Sequence, residues 1–224
     1  MVCKMTNKLL NVIFDFDGTL ADSFFASVQK FLPLAEKFNL RKLNQHEIEQ
    51  LRELPSKEII KYLKIPFYKI PSVLRHAREC LRNEIPSLST FMNMPEVLEE
   101  LHQDCSLGIV TSNSSENVAL WLEHHKIAHL FDFIYAESGY FGKKNILKKL
   151  IKSHRMEPLQ TFYVGDETRD IDAARKCNIN SIAVSWGFNS EATLIRSRPD
   201  YITRTPEDIL TIIKPHALAF ASLS

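Results

Sequence analysis

The chain has 224 residues, 45% of them hydrophobic, which is enough for one sizeable core with or without a small accessory domain. With 28 basic and 27 acidic side chains the net charge is +1, so composition offers no basic surface for nucleic acid. Glycine (6) and proline (10) are too few for a disordered chain, and no apolar stretch approaches the length of a membrane span.

The opening stretch "MVCKMTNKLLNVIFDFDG" has a short apolar run, cut by Asn11 and ended by acids, which argues against a secretory signal. Four scattered cysteines, Cys3, Cys80, Cys105 and Cys177, show no C-x-x-C spacing, so the expectation is reduced thiols in a cytoplasmic protein. The first strand, roughly 10–16, is a continuous apolar run of the kind covered on both faces in a parallel sheet. From Asp22 to Thr90 the pattern is wholly helical. Phe24, Val28, Phe31, Ala35 and Phe38 have helical spacing, with a kink or break expected at Pro33. Asn44 and Glu47 resemble a capping box before Ile48 and Leu51; Ser56 and Ser72 precede two further helices.

Alternation then takes over. Helices are expected over roughly 95–103, 115–125, 144–154, 169–177 and 206–213. Strands are expected over roughly 107–111, 133–136, 161–165 and 181–185, with an edge strand at 201–203. The class is therefore α/β, a doubly wound parallel sheet with ligands at the carboxyl ends of its strands. The core comprises 1–20 and 92–224, and an all-helical cap domain, 21–91, is inserted after the first strand, where it can cover that strand's end.

Within "NVIFDFDGTL", strand alternation sends Asp15 and Asp17 to one side and Phe16 to the other. Two buried, unpaired carboxylates are costly, and a divalent cation removes that cost. Gly18 permits a sharp turn and close approach to a ligand, and the Thr19 hydroxyl can fix the turn. "GIVTSNS" ends a strand at Thr111, where a hydroxyl and free N–H groups, including those of Ser112 and Asn113, suit a phosphate oxygen. "FGKKN" offers Lys143 or Lys144 to hold an anion and a carboxylate, and "VGDETRD" carries Asp166 and Asp170 one helical turn apart.

On "DFDGTLADS" (15–23), "GIVTSN" (108–113), "FGKK" (141–144) and "VGDETRDIDAAR" (164–175), the chain resembles the haloacid dehalogenase superfamily, in its phosphoglycolate-phosphatase-like branch with a helical cap. The resemblance implies a Rossmann-like core and a magnesium-dependent phosphatase acting on a small phosphomonoester, with phosphoglycolate one possibility. It implies Asp15 as the nucleophile that becomes an aspartyl-phosphate and Asp17 as general acid and then base. Thr111 would bind a phosphate oxygen, Lys143 would neutralise charge, and Gly18, Thr19, Ser112 and Asn113 would border the phosphate. Mg2+ would be held by Asp15, the Asp17 carbonyl and Asp166, with Asp170 close by. The motif lysine lacks the proline that follows it in many relatives, so Lys144 stays open beside Lys143, which is favoured by its place after Gly142.

Arg52 is a cap residue able to meet an anionic substrate tail, whereas Arg75, Arg78 and Arg82 read as a solvated basic helix face. The partner expected is a small phosphorylated molecule, with neither nucleic acid nor membrane, and monomer and homodimer are both open. Two other readings share the motifs: a phosphoglucomutase-type phosphomutase, and a catalytically silent binding module. The full set Asp15, Asp17, Thr111, Lys143 and Asp166 speaks against the silent module.

Overall fold

A computed structural model describes Lys8 and residues 10–82, 84–136 and 142–221; Cys3 and Phe141 lie outside them. Six strands form one sheet: β1 (Leu10–Phe14), β2 (Cys105–Val110), β3 (Phe133–Tyr135), β4 (Thr161–Gly165), β5 (Asn180–Val184) and β6 (Tyr201–Thr203). Their order is β3-β2-β1-β4-β5-β6, and every neighbouring pair is parallel. The chain winds outward from β1 on one side and then returns to wind outward on the other. This is the doubly wound arrangement, and it leaves a crevice beyond the carboxyl ends of β1 and β4.

Helices α5 (Met94–Asp104), α6 (Ser115–His124) and α10 (Pro206–Ala221) bury apolar residues in one cluster with Leu10, Val12 and Phe14. Helices α7 (Lys143–Ser153) and α8 (Thr168–Arg175) bury theirs in a second cluster with Ile13. Alternation along β1 thus feeds two cores, which is why it is apolar at every position except Asn11. Between β1 and α5 lie α1 (Phe24–Lys37), α2 (Gln45–Arg52), α3 (Ser56–Tyr62) and α4 (Ile70–Leu81). This helical insert has a small core of its own, Ala35, Leu40 and Val73. Its ends meet at the sheet rim, where Ala21 bridges Thr90 and the Asp22 N–H donates to the Ser89 carbonyl at 3.0 Å.

Several local expectations are corrected. Strand β1 stops at Phe14 instead of about residue 16. The Asp15 N–H still bonds the Val164 carbonyl (2.8 Å), but the Phe16 carbonyl then accepts the N–H groups of Leu20 and Ala21, so the chain curls into a turn. Asp17 therefore owes its direction to that turn and not to strand pleating. Pro33 does not break α1, which runs through it. A proline ring already has helical φ, and packing of Ala35 with Val73 holds the helix on α4 against one missing N–H. For the same reason α10 continues past Pro215 to Ala221, with Ile209 and Ile213 buried beneath it. Helix α4 starts two residues before Ser72, and Ser56 is itself the first residue of α3, after Pro55. The short helix α9 (Glu191–Arg196), capped by Ser190, has no counterpart in the sequence reading because its six residues are too few for a periodic signal. The Asn44–Glu47 capping box is present. Cys80, Cys105 and Cys177 are free thiols, and among the described residues no helix is long and apolar enough to cross a membrane.

Phe16, the residue between the two acids, is fully buried and meets Trp121 edge-on with ring centres 5.1 Å apart. Replacing it by alanine should lower the unfolding free energy by about 3–5 kcal/mol, read as a shift in the urea midpoint at unchanged m-value. A loss below ~1 kcal/mol would mean that the turn carries its own stability without this anchor.

Candidate active site

Four loops at the carboxyl ends of β1, β2 and β4 and at the start of α7 converge on one buried cluster. Asp15 follows β1 directly and is 1% exposed. Its Oδ1 accepts the Phe16 N–H at 2.8 Å, and its Oδ2 accepts from Lys143 Nζ. Lys143, the first residue of α7, is equally buried and also donates to Asp170 Oδ1 at 2.6 Å. Lys144 is not part of this contact. Burial opposes the charge of Lys143, but Asp15 and Asp170 outweigh it and hold the ammonium pKa above its usual value.

The end of β4 supplies the remaining acids. Asp166 is fully buried, its Oδ1 accepting from the Thr19 hydroxyl (3.0 Å) and its Oδ2 from the Phe188 N–H (2.6 Å). Glu167 caps α8 in a box with Asp170, whose Oδ2 accepts the Glu167 N–H at 3.1 Å, and Glu167 also pairs with Arg169. Asp170 thus sits on the helix, whereas Asp166 precedes it. Burial raises the Asp166 carboxyl well above the usual range, helped by the charges of Glu167, Asp15 and Asp170. Burial also pushes Asp170 up to about 6, with Lys143 opposing. Burial comes first in raising these values, and the carboxylates outnumber the cations Lys143 and Arg169, so repulsion adds to it.

Carboxylate oxygens of Asp15, Glu167 and Asp170 lie within 4.8 Å of one another. These are hard oxygen donors around an excess of negative charge, so the residues present fit a divalent cation of the hard class. Asp166 is adjacent but its oxygens are engaged elsewhere, and Glu167 joins the cluster without having been singled out from the sequence. The only signal for it was an acid directly after Asp166 in "VGDETRD".

Asp17 is half-buried in the turn; its Oδ2 accepts from the Asn113 amide at 2.9 Å, and its buried Oδ1 has no hydrogen-bond partner among the described residues. Burial, reinforced by the charge of Asp15, pushes the Asp17 carboxyl up to about 6, against the lowering effect of Asn113. Thr111 is fully buried, and its Oγ1 accepts the Asn113 N–H at 3.0 Å. That N–H is therefore already used, and the Asn113 side chain is the part of the residue that reaches the acids. Ser112 is half-buried at the same turn.

Backbone must come very close to Asp166. Gly18 has φ +74°, and a Cβ there would lie 2.2 Å from Asp166 Oδ2; a Cβ on Gly187 would lie 2.2 Å from the same oxygen. The loop after β5 that carries Gly187 also grips the insert. The Ser190 N–H donates to the Arg52 carbonyl (2.9 Å), the Asn189 amide donates to the Arg52 and Leu54 carbonyls (3.3 and 3.0 Å), and Arg196 donates to the Glu53 carbonyl (3.0 Å). On its other side the Asn189 Oδ1 accepts the Thr168 N–H at 3.0 Å, at the first turn of α8. Asn189 gave no spacing signal in the sequence. Arg52 does not join the acids: its guanidinium donates to the Gly187 carbonyl (3.0 Å) and lies 5.0 Å from the ring centre of Phe24. Of the three arginines of α4, Arg75 is exposed, Arg82 pairs with Glu116, and the side chain of Arg78 lies outside the described set.

Residues 12–184 match the family model of haloacid dehalogenase-like hydrolases. The chain is 32% identical over 203 residues to the phosphoglycolate phosphatase of Synechococcus elongatus, covering 90% of this chain and 96% of that one. It is 28% identical to the pyrophosphatase PpaX of Oceanobacillus iheyensis, over 92% and 97% of the two chains. Among solved structures, a haloacid dehalogenase-like family hydrolase from Streptococcus pneumoniae shares the fold, with a TM-score of 0.75 at 24% identity over 92% of this chain and 99% of that one.

Asn189 is fully buried and bonds both the insert and α8. Asn189→Ala should lower stability by roughly 2–4 kcal/mol, since three backbone groups lose a partner at once. Urea denaturation reads this directly, and a loss under ~0.5 kcal/mol would show that solvent replaces the amide without cost.

Proposed function

Because the chain belongs to the haloacid dehalogenase-like hydrolases, we propose that it is a divalent-metal-dependent phosphatase that hydrolyses a small phosphomonoester through an aspartyl-phosphate on Asp15. The observation that carries this reading is Asp15 itself: a buried carboxylate at the switch point of the sheet, paired to Lys143 and set among further acids. A carboxylate attacking a phosphate dianion meets repulsion, and phosphoryl transfer is governed by positioning and charge stabilisation.

An Asp15 carboxylate oxygen attacks phosphorus while the bond to the leaving oxygen breaks. Asp17, whose Oδ1 is buried without a partner, gives its proton to that oxygen. Water then attacks the phosphorus of the aspartyl-phosphate, Asp17 takes the water's proton, and phosphate leaves with the Asp15 carboxylate restored. Lys143 offsets charge on the carboxylate and the phosphoryl group, and Thr111 with the adjacent turn at Ser112 and Asn113 holds a phosphate oxygen. Gly18 and Thr19 keep the turn and Asp166 in place. Asp15, Glu167 and Asp170, with Asp166 and the Asp17 carbonyl nearby, would hold magnesium, which when bound supplies charge neutralisation for the phosphoryl oxygens. Residues 21–91 act as a cap domain on a core of 1–20 and 92–224, excluding water from the reaction. The enzyme works in the cytoplasm.

Phosphate release from a panel of phosphomonoesters, with magnesium and with chelator, tests this reading. Release should require the metal. Asp15→Asn should reduce kcat by roughly three to six orders of magnitude at an unchanged unfolding midpoint. A variant that keeps a tenth of the wild-type rate would remove Asp15 from the nucleophile's role, and release undiminished by chelator would remove the metal.

A further inference from the structure

A cavity of about 200 Å3 lies between the helical insert and the core. Its insert wall is mostly apolar, with Val28 of α1, Leu43, Ile48 and Leu51 from in and before α2, and Ile59 and Leu63 from in and just after α3, beside one hydroxyl residue, Ser27. On the core side it ends at Phe188 and Glu167. Glu167 belongs to the carboxylate cluster with Asp15, and the Phe188 N–H holds Asp166, so the cavity borders the candidate phosphate site through these two residues. The insert's own core cluster is small, Ala35, Leu40 and Val73, and it does not include the apolar residues that line this space.

The charge in the lining is already committed. Arg52 is the one cation there among the described residues, and its guanidinium is engaged by the Gly187 carbonyl, the Phe24 ring and Glu49 at 3.7 Å. A leaving group that carried a carboxylate would have to desolvate it against apolar walls with no fork free to receive it. Arg52 Nε is buried and has no partner among the described residues. An apolar cavity of about 150 Å3 takes benzene, so this one has room for a substituted ring or a branched chain.

We propose that the cavity seats an apolar leaving group, so that the protein selects aryl or branched alkyl phosphates. The proposal rests on the phosphatase reading above and narrows it: small charged alcohols such as glycolate make poor use of this wall. Filling the cavity removes the selectivity, because a larger side chain at Val28 occupies the ring's place.

The test measures phosphate release by the full chain with magnesium on phenyl phosphate, 2-naphthyl phosphate, phosphoglycolate and pyrophosphate, for the wild type and for Val28→Phe. The expected result is a kcat/KM for the aryl esters at least tenfold above that for phosphoglycolate, with Val28→Phe shrinking that ratio about tenfold. Free 2-naphthol should inhibit the wild type competitively, which decides the matter if the variant does not fold. Equal or better turnover of phosphoglycolate or pyrophosphate overturns the proposal, as does a variant that lowers all substrates alike or an absence of inhibition by naphthol. No release from any of the four compounds sinks the phosphatase reading itself, and the leaving-group proposal with it.

Discussion

The structure depends on keeping several carboxylates together out of water. Strands β1 and β4 are parallel neighbours, so their carboxyl ends coincide, and each is followed at once by an aspartate. Asp15 and Asp166 are thus side by side by topology, and Glu167 and Asp170 join them because α8 starts there. Burial and mutual repulsion both disfavour this, which is why the carboxyls of Asp17, Asp166 and Asp170 are pushed upward. Lys143 is the buried cation that keeps Asp15 and Asp170 together, and its raised pKa expresses the same imbalance from the other side. The proposed metal follows from the charge that Lys143 and Arg169 leave over.

Holding these acids demands space and partners. Gly18 and Gly187 come so close to Asp166 that any side chain would collide with its carboxylate. Thr19 and the Phe188 N–H bond the same group, so Asp166 is fixed by two loops at once. The loop after β5 then extends this order to the insert, since Asn189 joins the start of α8 to the end of α2. The wall of the apolar cavity and the acid cluster are consequently parts of one bonded unit. A ligand that presses on Phe188 presses on the support of Asp166 as well.

Much of this was readable in the sequence, for physical reasons that also mark the failures. A strand covered on both faces reads as a nearly continuous apolar run, so β1 and the alternating elements after it were legible from composition and period alone. Capping chemistry is local, so the Asn44–Glu47 box could be read directly. Packing is not local. Pro33 and Pro215 both sit inside helices that tertiary contacts sustain, and α9 is too short to have a period. The four strand-end motifs could be expected to converge, since parallel strands share one edge. The sequence favoured Lys143 over Lys144 only by its place after Gly142, because which lysine faces the acids depends on how α7 is rotated about its axis.

What the sequence by itself determined is the chemistry available at the sheet's edge: Asp15, Asp17, Thr111, a lysine and the acids after β4, brought to one rim by the parallel order. The partners of those groups were left to the tertiary structure. Glu167 enters the cluster through the start of α8, and Asn189 binds two elements more than a hundred residues apart in the chain. Arg52, which the sequence offered for an anionic substrate tail, is engaged by a backbone carbonyl and a ring, and Val28, Ile48, Leu51 and Ile59 of α1 to α3 line a cavity. A sequence records residue types and spacing. Which polar groups are already satisfied, and which apolar faces remain without a neighbour, is decided only when distant segments are packed together.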